Sequence, residues 1–193
     1  EAVRQDKFRR QFWPDDLMQF TSAQTASALA GIDLPLGGAV YPWGRVIDPK
    51  VLTSGLAAGA VLHLGFDVAQ INRHDGRFMI TGIDGRHLDF DYIVAANGAA
   101  LDTALSMLEI DGVRTEITSG QVSQVPAIKD FDGLGSGISF GGYLTPAFEG
   151  LHELGASFDR SGTSEISAVA NLHNRQLLPD ELAKCLPDPV GYG

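Results

Sequence analysis

Ser119-Gly120-Gln121-Val122-Ser123, Gly141-Gly142-Tyr143-Leu144-Thr145-Pro146 and Leu154-Gly155-Ala156-Ser157-Phe158-Asp159-Arg160 are the blocks whose reading decides the fold. All but the final Asp159-Arg160 fall within residues 113–158, a region that reads as three or four strands. A glycine-rich loop, Gly133-Leu134-Gly135-Ser136-Gly137, interrupts it. Glycine is abundant, at 23 of 193 residues against an ordinary share of about 7%. So many glycines suit an antiparallel, turn-rich sheet whose backbone approaches a ligand closely.

Outward from this region the pattern changes twice. Residues 1–30 read as helical with a break at Trp13-Pro14. Pro14 with Asp15 and Asp16 has the form of a helix start, and Ser22 to Ala30 is a short Ala-rich helix stopped by Gly31. Gly37 to Trp43 reads as a strand. Asp48-Pro49 is an N-cap acid followed by a first-turn proline, and predicts a helix to about Ala60. Four short strands are then expected: Val61–Leu64, Asp67–Arg73, Arg77–Gly82 and His87–Phe90. Asp75-Gly76 and Asp84-Gly85 serve as turns. Tyr92-Ile93-Val94-Ala95-Ala96 is a continuous apolar run, as in a strand buried on both faces, ending at Asn97-Gly98. Asp102 is placed to cap a helix to about Leu108. The tail, 164–186, has a helical pattern with a break or restart at Pro179.

Composition narrows the chemistry. An apolar share of 44% and a mean hydropathy of +0.02 are ordinary for a globular protein, and 193 residues make one domain or one domain plus part of another. The net charge of −10 opposes nonspecific attraction to nucleic acid or an anionic membrane. The one basic cluster, Arg4, Lys7, Arg9 and Arg10, is either an RNA contact or a solvated helix face. A lone cysteine, Cys185, excludes an internal disulfide and a cysteine metal cage, and fits a reducing compartment. The five histidines have no metal-ligand spacing and no G-x-S-x-G elbow exists, so metalloenzyme and hydrolase readings have no support. No apolar run is long enough to span a bilayer. A cytoplasmic location without a membrane partner is expected.

In their order and spacing, the three blocks resemble the substrate-side domain of FAD-dependent oxidoreductases of the D-amino-acid/glycine oxidase (DAO) superfamily. Within it the likeness is strongest to the oxidase half of the enzymes that make 5-methylaminomethyl-2-thiouridine in tRNA. It runs from about Trp13 to Pro187. The resemblance implies an α+β chain derived from an α/β parent. A large mixed, mostly antiparallel sheet would carry flanking helices, with a remnant of the FAD-binding domain attached. Residues 1–60 would hold helices and the first strand of the substrate domain. Residues 61–100 would be hairpins and the last strand of the FAD lobe, and 101–193 the substrate-domain sheet and C-terminal helix.

The resemblance also assigns residues. Val68 would contact the adenine of FAD through its main chain, or be a core strand residue. Ala96, Asn97 and Gly98 would lie against the cofactor, because a glycine at a strand's C-terminal end admits close approach of a ligand. Gln121, Tyr143 and Thr145 would face the substrate; the other reading of Tyr143 is a half-buried strand residue. The family carries Arg-Gly-Gln where this chain has Ser119-Gly120-Gln121, and serine cannot hold a carboxylate through two parallel hydrogen bonds. Arg114 and Arg160 are possible substitutes. The family's Gly-Gly before the first substrate-domain helix is Trp43-Gly44 here. No catalytic residue is assigned and no metal is expected.

The sequence contains no G-x-G-x-x-G, the fingerprint that grips a dinucleotide pyrophosphate. The expectation is therefore a fragment lacking the N-terminal FAD-binding segment of the same protein, one that cannot hold FAD tightly alone. Three functions are expected in competition. One is oxidative removal of a carboxymethyl group from modified wobble uridine in tRNA, another is oxidation of a small amino acid or secondary amine, and the third is a non-catalytic binding module with an oxidase-like sheet.

Overall fold

A computed structural model describes residues 13–160 and 165–192. The basic cluster and the helix expected before Trp13 lie outside the described residues, as does Ser164. The chain forms two compact units, residues 1–48 with 118–193, and residues 49–117.

The first unit is built on the three blocks. They become β6 (Ser119–Pro126), β8 (Tyr143–Leu144) and β9 (Leu151–Asp159), the inner strands of an antiparallel sheet ordered β10-β6-β9-β8-β7. Its edges are β7 (Ile138–Ser139) and β10 (Gly191–Tyr192). Val125, Leu144 and Leu154 point to one face and are completely buried. They pack with Phe131, Leu134, Ile138, Leu178, Leu182 and Leu186 into the core. Each fully buried leucine is worth about 1.5–3 kcal/mol by removal of apolar area from water.

The helices on that face start where local chemistry allows. Ser22 Oγ accepts from the Thr25 N–H at 3.3 Å and caps α1 (Ala23–Ala30). Gly31 ends it at φ 83°, and a Cβ there would meet the Gly133 carbonyl oxygen at 1.9 Å. Only glycine allows that left-handed turn and that approach. Pro14 starts no helix. It makes one turn, with the Leu17 and Met18 N–H groups donating to its carbonyl, and the chain then enters β1 (Gln19–Thr21), paired with β2 (Gly38–Val40). Strand pairing with a distant segment takes the backbone groups a helix would have needed.

In the tail, Pro179 separates α4 (Ala168–Gln176) from α5 (Asp180–Ala183), as a proline lacking an N–H must. α4 is fastened to the sheet by polar contacts. The Gln121 amide donates to the Ser167 carbonyl at 3.0 Å and to Asn171 Oδ1 at 2.6 Å, and its oxygen accepts the Ser167 N–H at 2.7 Å. Asn174 donates to the Gln121 carbonyl at 2.9 Å, and Ser123 Oγ donates to Asn171 Oδ1 at 2.7 Å. Ser123 and Asn174 are wholly buried, where unpaired polar atoms are costly.

The second unit comprises α2 (Pro49–Leu56), β3 (Val68–His74), β4 (Arg77–Gly82), β5 (His87–Phe90) and α3 (Leu101–Met107). β3, β4 and β5 form an antiparallel meander. Asp75 and Gly76 both have positive φ, 51° and 81°, the geometry of the hairpin turn their dipeptide predicts. Asp102 lies in the first turn of α3 without capping it, and accepts from Thr115 Oγ1 at 2.6 Å. α2 stops at Leu56, and turns follow to Ala60 through Gly59 at φ 94°.

Two expected strands do not form. Val61–Leu64 and Tyr92–Ala96 pair with no other strand. Val61, Leu64, Tyr92 and Val94 are 82–88% exposed. A strand apolar on both faces needs neighbours at its edges and layers above and below, and β3–β5 provide neither. Gly82 is the only buried residue of this unit, so it has no hydrophobic core of its own.

Two outcomes follow for the first unit. Leu154→Ala should lower its unfolding free energy by about 2–5 kcal/mol, the range for a buried leucine leaving a cavity. Gln121→Ala strands the Ser167 N–H and should cost about 1–3 kcal/mol. Chemical denaturation followed by circular dichroism checks both; wild-type midpoints would contradict them.

Candidate functional site

The face of the five-stranded sheet opposite the core carries the polar chemistry. Register decides which residues share it. Gln124 lies opposite Glu153, and Tyr143 opposite Gly155. The intervening residues Ser123, Val125, His152 and Leu154 point into the protein and are buried, whereas Gln124, Glu153 and Tyr143 are half-buried. Directly opposed residues of an antiparallel pair project on the same side, so Gln124, Glu153, Gly155 and Tyr143 form one patch. A register shift between Gln121 and Ser123 brings Gly120 opposite Phe158, which is 79% exposed.

Within the patch, Gln124 Nε2 donates to Glu153 Oε1 at 2.8 Å. Tyr143 lies across Gly155: a Cβ at Gly155 would come within 3.0 Å of the phenol oxygen and 3.3 Å of Val122. Glycine at 155 is what lets the ring rest on the strand. Burial, and secondarily the Glu153 charge, raise the Tyr143 phenol above the usual tyrosine range. Its hydroxyl is therefore neutral at physiological pH and able to donate or accept.

Of the other sequence-assigned residues, Thr145 closes the ladder between β8 and β9. Its N–H donates to the Glu153 carbonyl and its Oγ1 accepts the Glu153 N–H, both at 3.0 Å. Its carbonyl accepts from His152 Nδ1 at 2.8 Å, which fixes that nitrogen as the protonated one because a carbonyl cannot donate. Gln121 points to the helix face and its amide is engaged by α4, as described above. Ser119 sits opposite Asp159. Arg45 donates to the carbonyls of Pro42 and Gly44 and so belongs to its own turn.

Val68 and Ala96–Gly98 lie in the second unit. Val68 begins β3 opposite Gly82 and is 38% exposed. Ala96, Asn97 and Gly98 are exposed; Asn97 Nδ2 donates to the Ala100 carbonyl at 2.7 Å, and Gly98 has φ 57° with open space where a Cβ would be. Sequence reasoning missed Gln124, Glu153 and the role of Gly155. Strand register, which no local motif encodes, was the signal required.

Elsewhere, a cleft of about 400 Å³ is lined by Ile32, Asp33, Asp130, Phe131, Glu181, Leu182 and Cys185. Among the described residues no His, Cys, Asp and Glu side chains gather into a metal-holding group.

A model of the FAD dependent oxidoreductase family, DAO, matches residues 2–191. The chain is 32% identical over 192 residues to the tRNA 5-methylaminomethyl-2-thiouridine biosynthesis bifunctional protein MnmC of Ectopseudomonas mendocina, an alignment covering 96% of this chain and 29% of the relative. It is 30% identical over 178 residues to the protein of that name from Shewanella pealeana, covering 86% of this chain and 27% of the relative. It thus spans between a quarter and a third of these curated relatives. Among solved structures, glycine oxidase from Bacillus cereus superposes with TM-score 0.76 at 18% identity, over 100% of this chain and 56% of that one. L-proline dehydrogenase from P. horikoshii gives TM-score 0.78 at 15% identity, over 99% and 55%. The family match over nearly the whole chain, on the antiparallel α+β architecture shared with these two structures, establishes that the chain belongs to the FAD-dependent oxidoreductase family, DAO.

Proposed function

We propose that this chain is the substrate-side part of an FAD-dependent oxidoreductase acting on the C–N bond of an amine, with the carboxymethyl group of modified wobble uridine in tRNA as the group removed. Membership of the family supports the reaction class. The observation that carries the substrate is the 30–32% identity to enzymes named for tRNA 5-methylaminomethyl-2-thiouridine biosynthesis, kept over 86–96% of the chain. The net charge of −10 favours the second reading, a small amino acid or secondary amine.

In this reading residues 61–100 belong to the cofactor lobe. The support is a unit without a core: Val61, Leu62, Leu64, Tyr92 and Val94 are all at least 61% exposed, and such apolar surface requires a cover. Other residues of the whole protein would supply that cover and the pyrophosphate grip. Val68 and the Ala96–Gly98 turn fit a flat ligand approaching the backbone, because both are exposed and Gly98 has no side chain in the way. Val68 and the Ala96–Gly98 backbone would hold FAD, whose chemistry would be acceptance of a hydride from a carbon beside an amine nitrogen. Tyr143 would orient the amine and, with Val122 and Phe158, keep water from the reacting carbon. Gln121 would act indirectly, by holding β6 against α4. Thr145 would act through Glu153, whose backbone it binds on both sides.

The whole protein should carry one flavin per chain by its visible absorbance, whereas the 193-residue chain with added FAD should not. With carboxymethylaminomethyl-modified tRNA it should release the carboxymethyl carbons, read by mass spectrometry of the nucleosides. Turnover of glycine or sarcosine but not of tRNA would favour the small-amine reading. Flavin in neither preparation would remove the oxidase reading and leave a binding module.

A further inference from the structure

The carboxylate of Glu153 is half-buried on the open face of the sheet. Gln124 occupies one of its oxygens at 2.8 Å, and among the described residues no lysine, arginine or histidine pairs with the other. Its backbone N–H and carbonyl are both taken by Thr145, so strand β9 holds the residue in place. The Tyr143 hydroxyl, on the same face one strand over, has no hydrogen-bond partner among the described residues, and its ring lies on Gly155. The Gln124 amide is the hydrogen-bond donor to this half-buried carboxylate, and its second oxygen is left open to a cation.

We propose that Glu153, Tyr143 and Gln124 form a recognition site for a protonated secondary amine. This rests on the reading above that the substrate is an amine. A secondary ammonium has one positive charge and two N–H donors. One N–H is taken by the second oxygen of Glu153 and the other by the Tyr143 hydroxyl, while the carbon substituents lie against Val122 and Phe158. Gln124 is a positioning residue: it turns the carboxylate so that the second oxygen faces the ligand. A neutral ether of the same shape brings no donor, and a quaternary ammonium brings charge without N–H. The patch therefore ranks a secondary ammonium above both.

The test is binding, not turnover. Dimethylammonium is titrated into the whole flavin-loaded protein by calorimetry, with tetramethylammonium and dimethyl ether as controls. Dimethylammonium should bind best, and Glu153→Gln, which keeps the shape but removes the charge, should weaken it at least tenfold. Tyr143→Phe should weaken it less, and Glu149→Gln, an exposed acid on the neighbouring turn, should leave it unchanged. If Glu153→Gln does not fold, saturable shifts of the Tyr143 ring resonances in the wild-type protein decide instead. Equal affinity of Glu153→Gln and wild type overturns the proposal. So does tetramethylammonium binding as tightly as dimethylammonium, or wild-type protein that binds neither, the result expected if a cation elsewhere in the polypeptide already covers the carboxylate. Binding without oxidation of any amine would keep this site and reject the oxidase reading; oxidation with no loss in Glu153→Gln would do the reverse.

Discussion

The pairing of β6 with β9 is the constraint on which the first unit depends. Opposite registers along it send Val125 and Leu154 into the core and Gln124 and Glu153 to the other face. Because side chains alternate with period two, a slip of one residue would exchange the two sets. The slip is opposed from both sides. Inward, it would bury the Glu153 carboxylate where Leu154 now packs. Outward, it would expose apolar side chains that α4 and α5 now cover. The Gln121 amide adds a second lock, because its three contacts with Ser167 and Asn171 exist in one register only.

That division of labour explains why the polar residues of this sheet fall into two kinds. On the helix face, Gln121, Ser123, Asn171 and Asn174 bind one another and the backbone, and hold α4 down. On the open face, the Tyr143 hydroxyl and one oxygen of Glu153 have no hydrogen-bond partner among the described residues. Glycine marks the boundary: at 155 it clears the space that the Tyr143 ring fills. Removal of side chains from the strand and placement of an aromatic above it are two halves of one arrangement.

The second unit follows a different rule. Its hairpins are specified locally, through the Asp75-Gly76 turn and cross-strand pairs such as Ile71 with Ile80 and Phe78 with Phe90. Yet it buries only Gly82. Local hydrogen bonding is enough to draw the strands, but a meander of this size gains little from apolar burial by itself. Its apolar residues Val61, Leu62, Leu64, Tyr92 and Val94 are left exposed within this unit.

The sequence alone determined what local chemistry controls. The Ser22 cap, the Gly31 stop, the Asp48-Pro49 helix start, the Asp75-Gly76 hairpin and the Pro179 break depend on a few adjacent residues, and all can be read directly. The family was legible too, because three blocks in fixed order survive where single motifs are weak. Only the tertiary structure decided the rest. Pro14 has the signs of a helix start, but the pairing of Gln19–Thr21 with Gly38–Val40 ends it after one turn. Tyr92–Ala96 has the composition of a buried strand, but strands exist through their neighbours, and here none pairs with it. Gln121 and Tyr143 look alike as motif residues, yet register turns one to a helix and the other to open space. Glu153 carries no signal at all in the sequence. It becomes a candidate only when β9 places it opposite Gln124 and beside Tyr143, because contacts between strands are set by folding over long separations and not by the residues next in line.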